Sequence, residues 1–179
     1  EIIRLFKKDG ADVRVVMTES AKEFITPLTL QAISGNEIHD SLLDAKAESA
    51  MGHIELAKWA DIILIAPCTA ETISKITHGR ADDLIGAILL ASKANKYIAP
   101  AMNMNMWTDE STQDNYNTLL KRDLSFIGPG IGEQACGDIG PGRMEEPDKI
   151  IEFIKSTFKS GPLSGKKITI TAGPTREQI

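Results

Sequence analysis

The chain has 179 residues, of which 42% are hydrophobic and 25% charged, and its formal net charge is −5. This length and composition predict one globular domain of ordinary size with a sizeable core. The acidic balance, without basic clusters or interleaved aromatic residues, argues against a nucleic-acid or anionic-membrane partner, and no apolar run approaches the ~20 residues of a membrane span.

No signal peptide is recognisable at the start of the chain. The two cysteines, Cys68 and Cys136, lie in no metal-spacing motif. We therefore expect free thiols, no metal site and a reducing cytoplasm.

The first ten residues predict the last turns of a helix that stops at Gly10. A parallel α/β domain usually opens with a strand and a loop, and that loop is the usual phosphate cradle. We therefore expect a strand and a phosphate-binding loop to precede Glu1.

Short apolar strands then alternate with amphipathic helices. The predicted strands cover residues 13–17, 61–66, 96–99 and 124–127. The predicted helices cover residues 20–34, 54–59, 69–77, 81–93, 109–122 and 147–158. This alternation predicts an α/β fold with a doubly wound parallel sheet.

Two segments depart from the alternation. Residues 128–142 contain six glycines and two prolines, a composition that predicts a mobile flap outside the core. Residues 159–166 have the composition of a linker, and a new strand with a Gly-Pro turn follows it. We therefore predict one domain over residues 1–158, a linker over 159–166 and the truncated start of a second domain over 167–179.

Hydroxyl side chains follow the first two predicted strands. Thr18 and Ser20 lie where a helix is predicted to begin, so they can cap it, and the backbone amides behind them form an anion site. Residues 66–73 follow the second strand, where small and hydroxyl side chains let a planar ligand approach the backbone. At both places helix capping alone, by Thr18 or by Thr69, is the alternative.

The most informative stretch is residues 100–107, with the sequence PAMNMNMW, directly after the third predicted strand. Parallel sheets bind their ligands at this end of a strand. Two carboxamides among three methionines and a tryptophan form a surface that stacks on a flat ring and also holds a carboxylate without supplying a full charge. A loop filled with polarizable core side chains is the alternative.

Two further side chains can move protons near neutral pH. His53 precedes a predicted helix, and an imidazole pKa near ~6.5 suits a proton acceptor, although a structural histidine is the alternative. Cys136 lies in the glycine-rich segment, and a thiol pKa near ~8.5 keeps it protonated and able to donate when a flap closes; an incidental exposed cysteine is the alternative. We expect His39 and His78 to be solvated and Cys68 to serve packing.

Five segments together resemble, in the same order along the chain, the homo-oligomeric flavin-containing cysteine decarboxylases. They are Met17–Phe24, His53 with its preceding glycine, Ala66–Ile73, Pro100–Trp107 and Ala135–Met144. The motifs Pro-Ala-Met-Asn-x-x-Met-Trp and Ala-Cys-Gly-Asp-x-Gly-x-Gly-Arg-Met are the most specific. The chain is most similar to members fused to a phosphopantothenate–cysteine ligase, because the tail from Leu163 resembles the start of that ligase.

The resemblance implies a flavodoxin-like three-layer (Rossmann-like) sandwich and a set of site residues. It implies FMN as the cofactor, bound by Thr18, Ser20, Phe24, Pro67, Thr69, Met102 and Asn105. It implies His53 as the active-site base, Asn103 as the group that holds the substrate carboxylate, and Cys136 as the proton donor on a clamp. The implied substrate-binding residues are Asn103, Met106, Ala135, Gly137, Arg143 and Met144.

The implied reaction is FMN-dependent decarboxylation of 4′-phosphopantothenoylcysteine to 4′-phosphopantetheine in coenzyme A biosynthesis, through thioaldehyde and enethiolate intermediates, in a homotrimer or homododecamer. A peptidyl-cysteine decarboxylase is one alternative, against which the ligase-like tail argues. A non-catalytic flavin-binding regulatory subunit is another, although His53, Asn103 and Cys136 are all present. A dinucleotide-binding dehydrogenase is disfavoured because its glycine fingerprint is absent from the chain.

Overall fold

A computed structural model of the chain describes residues 1–42, 52–134, 137–158 and 166–172. The strands are β1 Asp12–Met17, β2 Ile38–His39, β3 Ile62–Cys68, β4 Asn95–Pro100, β5 Ser125–Phe126, β6 Gly130–Glu133, β7 Ile139–Arg143 and β8 Lys167–Ala172. The α-helices are α1 Ile2–Lys8, α2 Pro27–Ser34, α3 His53–Trp59, α4 Ala70–Thr77, α5 Leu84–Ala91, α6 Met104–Thr108, α7 Glu110–Leu120 and α8 Pro147–Ser156. A short 3-10 helix covers Glu19–Glu23.

Six strands form one parallel sheet in the order β2-β1-β8-β3-β4-β5. Its two faces carry separate cores, because one apolar cluster includes Phe6 of α1 and Ile150 of α8, and the other includes Leu56 of α3 and Ile88 of α5. The predicted doubly wound, flavodoxin-like α/β sandwich is therefore confirmed. The described helices are all too short or too polar to span a lipid bilayer.

Local capping explains where the elements differ from their predicted bounds. The helix predicted over residues 20–34 is two helices, because Thr26 caps α2 by accepting a hydrogen bond from the Thr29 amide and Pro27 starts it without needing a donor. Likewise, Asp83 accepts from the Gly86 amide at 2.8 Å and starts α5 three residues after the predicted bound.

The strand predicted to open a second domain lies in the middle of this sheet. β8 pairs in parallel with all of β1 and with Ile62–Ile65 of β3, and its Ile168 and Ile170 join the first core. Lys167–Ala172 therefore lies in the same sheet as β1 and β3, and the predicted start of a second domain at residue 167 stays a prediction. The rest of the predicted boundary lies outside the described residues and stays a prediction.

The opposite face of β8 buries two hydroxyl groups. Thr169 is fully buried, Thr171 nearly so, and within the described part of the chain neither hydroxyl has a hydrogen-bond partner. A buried hydroxyl without a partner loses its hydration and gains nothing in exchange. The Ile-Thr alternation of this strand is typical of a strand with one solvated face, which is why its central position was not predicted.

We expect Thr169→Val to stabilise the 179-residue chain by about 1 kcal/mol, because valine has nearly the same shape and no hydroxyl to desolvate. Chemical denaturation measures the free energy of unfolding. Thr118→Val is the matched control, since the exposed Thr118 hydroxyl donates to the Asp114 carbonyl at 2.8 Å and its loss brings no gain. A Thr169→Val variant no more stable than this control contradicts the prediction.

The glycine-rich segment forms a hairpin. β6 pairs antiparallel with β7, and the turn is closed by hydrogen bonds from the Gly137 amide to the Gln134 carbonyl and from the Gln134 amide to the Asp138 carbonyl, both 2.8 Å. Gly140 and Gly142 are buried. No described residue of 128–142 belongs to either apolar cluster, so the prediction that this segment lies outside the core is confirmed, and its mobility stays a prediction.

Candidate active site

A cleft opens where β1 and β3 end. Thr18, Ser20 and Thr69, three of the predicted cofactor residues, line it, and Ile76 and Ile85 give it an apolar wall. The carboxyl edge of a parallel sheet is the usual place for a ligand. The structure therefore brings together three side chains whose proximity the sequence only implied.

The two threonines of this cleft also cap helices. Thr18 Oγ1 accepts from the Ala21 amide at 3.1 Å and donates to the Ala172 carbonyl at 3.3 Å. Thr69 Oγ1 accepts from the Thr72 amide at 3.3 Å. Capping and ligand binding do not exclude each other, because a hydroxyl oxygen has two lone pairs. Capping is thus present, and cofactor binding by these residues stays a prediction.

The hydroxyl groups and isoleucines of the cleft suit the edge of a flavin. The hydroxyl groups could hydrogen-bond polar ring atoms, and the two isoleucines could pack against a ring face; the charged Glu71, Lys75 and Asp83 also line the cleft. The cavity encloses about 140 Å³, which is less than a whole FMN occupies. A bound FMN would therefore need contacts beyond this cleft.

The other four predicted cofactor residues do not line this cleft. Phe24 is 58% exposed, Asn105 is exposed and Pro67 is half-buried. Met102 packs against the second core. Their predicted contact with FMN is neither confirmed nor contradicted by these positions.

Residues 100–107 turn from strand into helix at the carboxyl edge of β4. Asn103 is the N-cap of α6, and its Oδ1 accepts from the Asn105 amide at 2.8 Å. This bond directs the oxygen of the Asn103 carboxamide into the helix end and the Nδ2 group away from it. The predicted carboxylate-binding group is therefore held in one orientation by its own backbone.

The hairpin packs against this turn at very short range. The Met102 amide donates to the Gly142 carbonyl at 2.8 Å. Gly142 has a φ of +149°, and a Cβ there would overlap the Met102 carbonyl oxygen and lie 2.6 Å from Gln134 Nε2. A Cβ on Gly140 would overlap the Met104 side chain. Glycine is required at position 142, where the backbone lies in the way, whereas a Cβ at position 140 would force the Met104 side chain to move.

One carboxamide joins the hairpin to the turn. Gln134 Oε1 accepts from the Met104 amide at 3.0 Å and from Asn103 Nδ2 at 3.3 Å, while its Nε2 donates to the Pro141 carbonyl at 3.3 Å. Gln134 is only 9% exposed, so these bonds replace its contacts with water. Sequence reasoning missed this residue, and its position two residues before Cys136 was the only available signal.

The predicted base, His53, lies outside the cleft, and the predicted acid, Cys136, lies outside the described residues. His53 is the first residue of α3, is half-buried and is not among the residues that line the cleft. Ala135 and Cys136 lie outside the described residues. Their predicted roles stay predictions.

Of the remaining predicted substrate-binding residues within the described part of the chain, three lie at the surface and one packs against the core. Met106 is 50% exposed, and Gly137 and Arg143 are exposed, whereas Met144 packs against the first core. The Arg143 guanidinium lies 3.5 Å from a Glu146 carboxylate oxygen. These exposed residues are available to a ligand or to another chain.

Burial sets the behaviour of two titratable groups. Burial, followed by the charge of Arg14, lowers the pKa of His39. The expectation that His39 is solvated is wrong, because its side chain is only 9% exposed although it lies on β2, the edge strand of the sheet. His78 is exposed, as expected. Burial raises the pKa of the Cys68 thiol well above its usual range, and its packing in the second core confirms the role expected for it.

Comparison with known proteins places these features in a family. The model of the family described as Flavoprotein matches residues 1–159. The coenzyme A biosynthesis bifunctional protein CoaBC of Vibrio vulnificus (strain YJ016) is 52% identical over 179 residues, which are 100% of this chain and 45% of that protein. The chain thus spans about 45% of the length of these curated relatives.

Two solved structures are also similar. A cysteine-to-serine mutant of PPC decarboxylase, complexed with pantothenoylaminoethenethiol, has a TM-score of 0.66 and 26% identity, with 84% of this chain and 99% of that chain covered. The FMN-dependent cysteine decarboxylase SpaF has a TM-score of 0.63 and 28% identity, with 81% of this chain and 79% of that chain covered.

Proposed function

The chain belongs to the Flavoprotein family, and on this basis we propose that it is the decarboxylase part of a bifunctional enzyme of coenzyme A biosynthesis. The observation that carries the proposal is 52% identity along the whole chain to a bifunctional CoaBC protein. The likeness to a PPC decarboxylase complexed with a pantothenoyl ligand supports the same substrate class. The proposed reaction converts 4′-phosphopantothenoylcysteine to 4′-phosphopantetheine and CO2.

The proposed cofactor is FMN, which the likeness to an FMN-dependent cysteine decarboxylase supports. The residues that would hold its edge are Thr18, Ser20 and Thr69, with Phe24, Pro67, Met102 and Asn105 completing the proposed site. FMN bound there would supply a reversible two-electron acceptor, and hence the electron sink that a simple cysteine carboxylate lacks.

The protein's own groups bind the substrate and move protons. Asn103 holds the carboxylate through Nδ2, and because a carboxamide carries no charge, it does not stabilise the ground state as an ion pair would. His53 accepts a proton during oxidation of the substrate. Cys136 donates a proton to the enethiolate carbon after CO2 has left.

The geometry of the turn supports the role of Asn103. Its carboxamide is held from both ends, by the Asn105 amide at 2.8 Å and by Gln134 Oε1 at 3.3 Å. A group oriented before the substrate arrives does not have to be ordered on binding. Met106, Ala135, Gly137, Arg143 and Met144 are the other proposed substrate contacts.

The proposed assembly is a homo-oligomer, a trimer or a dodecamer, with the flavin between subunits. The exposed Phe24, Met106 and Ile131 are apolar side chains that such contacts can bury. The buried, unpaired Cys68 favours a reducing compartment, and we place the enzyme in the cytoplasm. The parent protein is proposed to carry the CTP-dependent phosphopantothenate–cysteine ligase as well.

The test uses the parent protein expressed with its full N-terminal region. We expect it to show the visible absorbance of bound FMN and to release CO2 from 4′-phosphopantothenoylcysteine. A peptide ending in cysteine is the second substrate. Release from the peptide alone supports a peptidyl-cysteine decarboxylase instead, and flavin binding with no release from either substrate supports a regulatory subunit.

A further inference from the structure

We propose that Gln134 is a positioning residue that holds the Asn103 carboxamide ready for the substrate carboxylate. The inference rests on the proposed function, because it assigns Gln134 to the carboxylate subsite of that reaction. It is supported by the hydrogen bonds that the buried Gln134 side chain makes with Asn103 and with the Met104 amide.

The hydrogen bonds allow only one orientation of the Asn103 carboxamide. Its Oδ1 faces the Asn105 N–H at 2.8 Å and its Nδ2 faces Gln134 Oε1 at 3.3 Å. If the carboxamide were rotated by half a turn, Asn103 Oδ1 would face Gln134 Oε1, so two acceptors would meet. Asn103 Nδ2 would then face the Asn105 N–H, so two donors would meet.

Gln134 is itself held firmly. Its Oε1 also accepts from the Met104 amide at 3.0 Å, and its Nε2 donates to the Pro141 carbonyl at 3.3 Å. Its backbone closes the hairpin turn through the Gly137 amide and the Asp138 carbonyl. A buried carboxamide whose oxygen and nitrogen both have hydrogen-bond partners does not rotate freely. The position of the hairpin therefore determines the orientation of Asn103 through Gln134.

The orientation of Asn103 therefore depends on the hairpin. Gln134 belongs to the hairpin and bonds Asn103 and Met104, and the Met102 amide donates to the Gly142 carbonyl of the same hairpin. Cys136, the proposed proton donor, follows Gln134 by two residues in the sequence.

The test is a pair of ligands that differ in the carboxylate. The first is 4′-phosphopantothenoylserine, which keeps the carboxylate and has no thiol to be oxidised; the second is 4′-phosphopantetheine, which has lost the carboxylate. Calorimetric titration of the flavin-loaded parent protein gives both dissociation constants. We expect Gln134→Met to bind the serine ligand about tenfold more weakly and to leave phosphopantetheine binding within about twofold.

Two comparisons separate positioning from a loss of structure. Gln113→Met is the matched control, because Gln113 Nε2 also donates to a backbone carbonyl, that of Trp107 at 2.6 Å, and we expect it to change neither constant. In an Asn103→Ala background, Gln134→Met should cause no further loss for the serine ligand, since Gln134 acts through Asn103.

A second variant covers the case in which Gln134→Met does not fold. Gln134→Glu keeps an oxygen acceptor for Asn103 Nδ2 and the Met104 amide, but it places a negative charge beside the bound carboxylate, so it should weaken the serine ligand selectively. Equal weakening of both ligands, or of neither, overturns the inference. Wild-type protein that binds neither ligand overturns the proposed function itself.

Discussion

Asn103→Asp is expected to reduce CO2 release by about a hundredfold or more while leaving the fold intact, because like charges brought together cost several kcal/mol. The aspartate carboxylate meets the substrate carboxylate and also Gln134 Oε1, which now accepts from Asn103 Nδ2 at 3.3 Å. The measurement is CO2 release by flavin-loaded parent protein at saturating and limiting substrate.

The fold survives this change because aspartate is as good an N-cap as asparagine. It can still accept from the Asn105 amide, as Asn103 Oδ1 does at 2.8 Å. Asn117→Asp makes the same chemical change on the exposed side of α7, and we expect it to retain full activity. An Asn103→Asp enzyme as active as this control means that the carboxylate binds elsewhere.

Gly142→Ala is expected to lose both stability and activity, because it pushes the hairpin away from the turn at Met102. The new methyl group overlaps the Met102 carbonyl oxygen, lies 2.6 Å from Gln134 Nε2, and sits at a φ of +149°. Overpacking of this kind costs about 1–3 kcal/mol. We expect a loss of this size in the free energy of unfolding and at least about tenfold slower CO2 release.

Gly132→Ala is the control within the same hairpin. Its Cβ would meet the Arg143 side chain at 3.6 Å, an ordinary contact, at a backbone conformation open to alanine. Chemical denaturation and CO2 release should both stay close to wild type. If Gly142→Ala behaves like Gly132→Ala, the hairpin does not need its close approach to residues 102–104.

Patterns within a few residues predicted most of the scaffold. The apolar run of β3 is buried on both faces, so it could be recognised as a central strand. Thr69 and Asp83 cap the helices that follow them, and capping depends only on neighbours along the chain. Helix ends were predicted less well near Pro27 and Asn103, where a new helix begins. The backbone hydrogen bonds of one segment end there and those of the next helix start, while the apolar pattern of the sequence continues across the boundary.

Within the site, residue types could be predicted but their contacts could not. The hydroxyls of Thr18 and Thr69 were expected near a ligand, and both line the cleft. Gln134 was not predicted, since an isolated glutamine has no pattern until the residues that it bonds are known. The close packing of Gly142 on the turn was not predicted, because glycine content describes backbone freedom and says nothing about which residues a glycine approaches.

The amino-acid sequence alone determined the alternating helices and strands, the caps and the motif residues, because those depend on bonds and periodicity over a few positions. Only the tertiary structure decided which strands are neighbours and which side chains meet. β8 pairs with β1 although 154 residues separate Thr18 from its acceptor at Ala172, and Gln134 reaches Asn103 across 31 residues. Such contacts form because distant segments bury each other's polar and apolar groups. Which distant segments fit together in this way cannot be predicted from the residues close to each of them in the sequence.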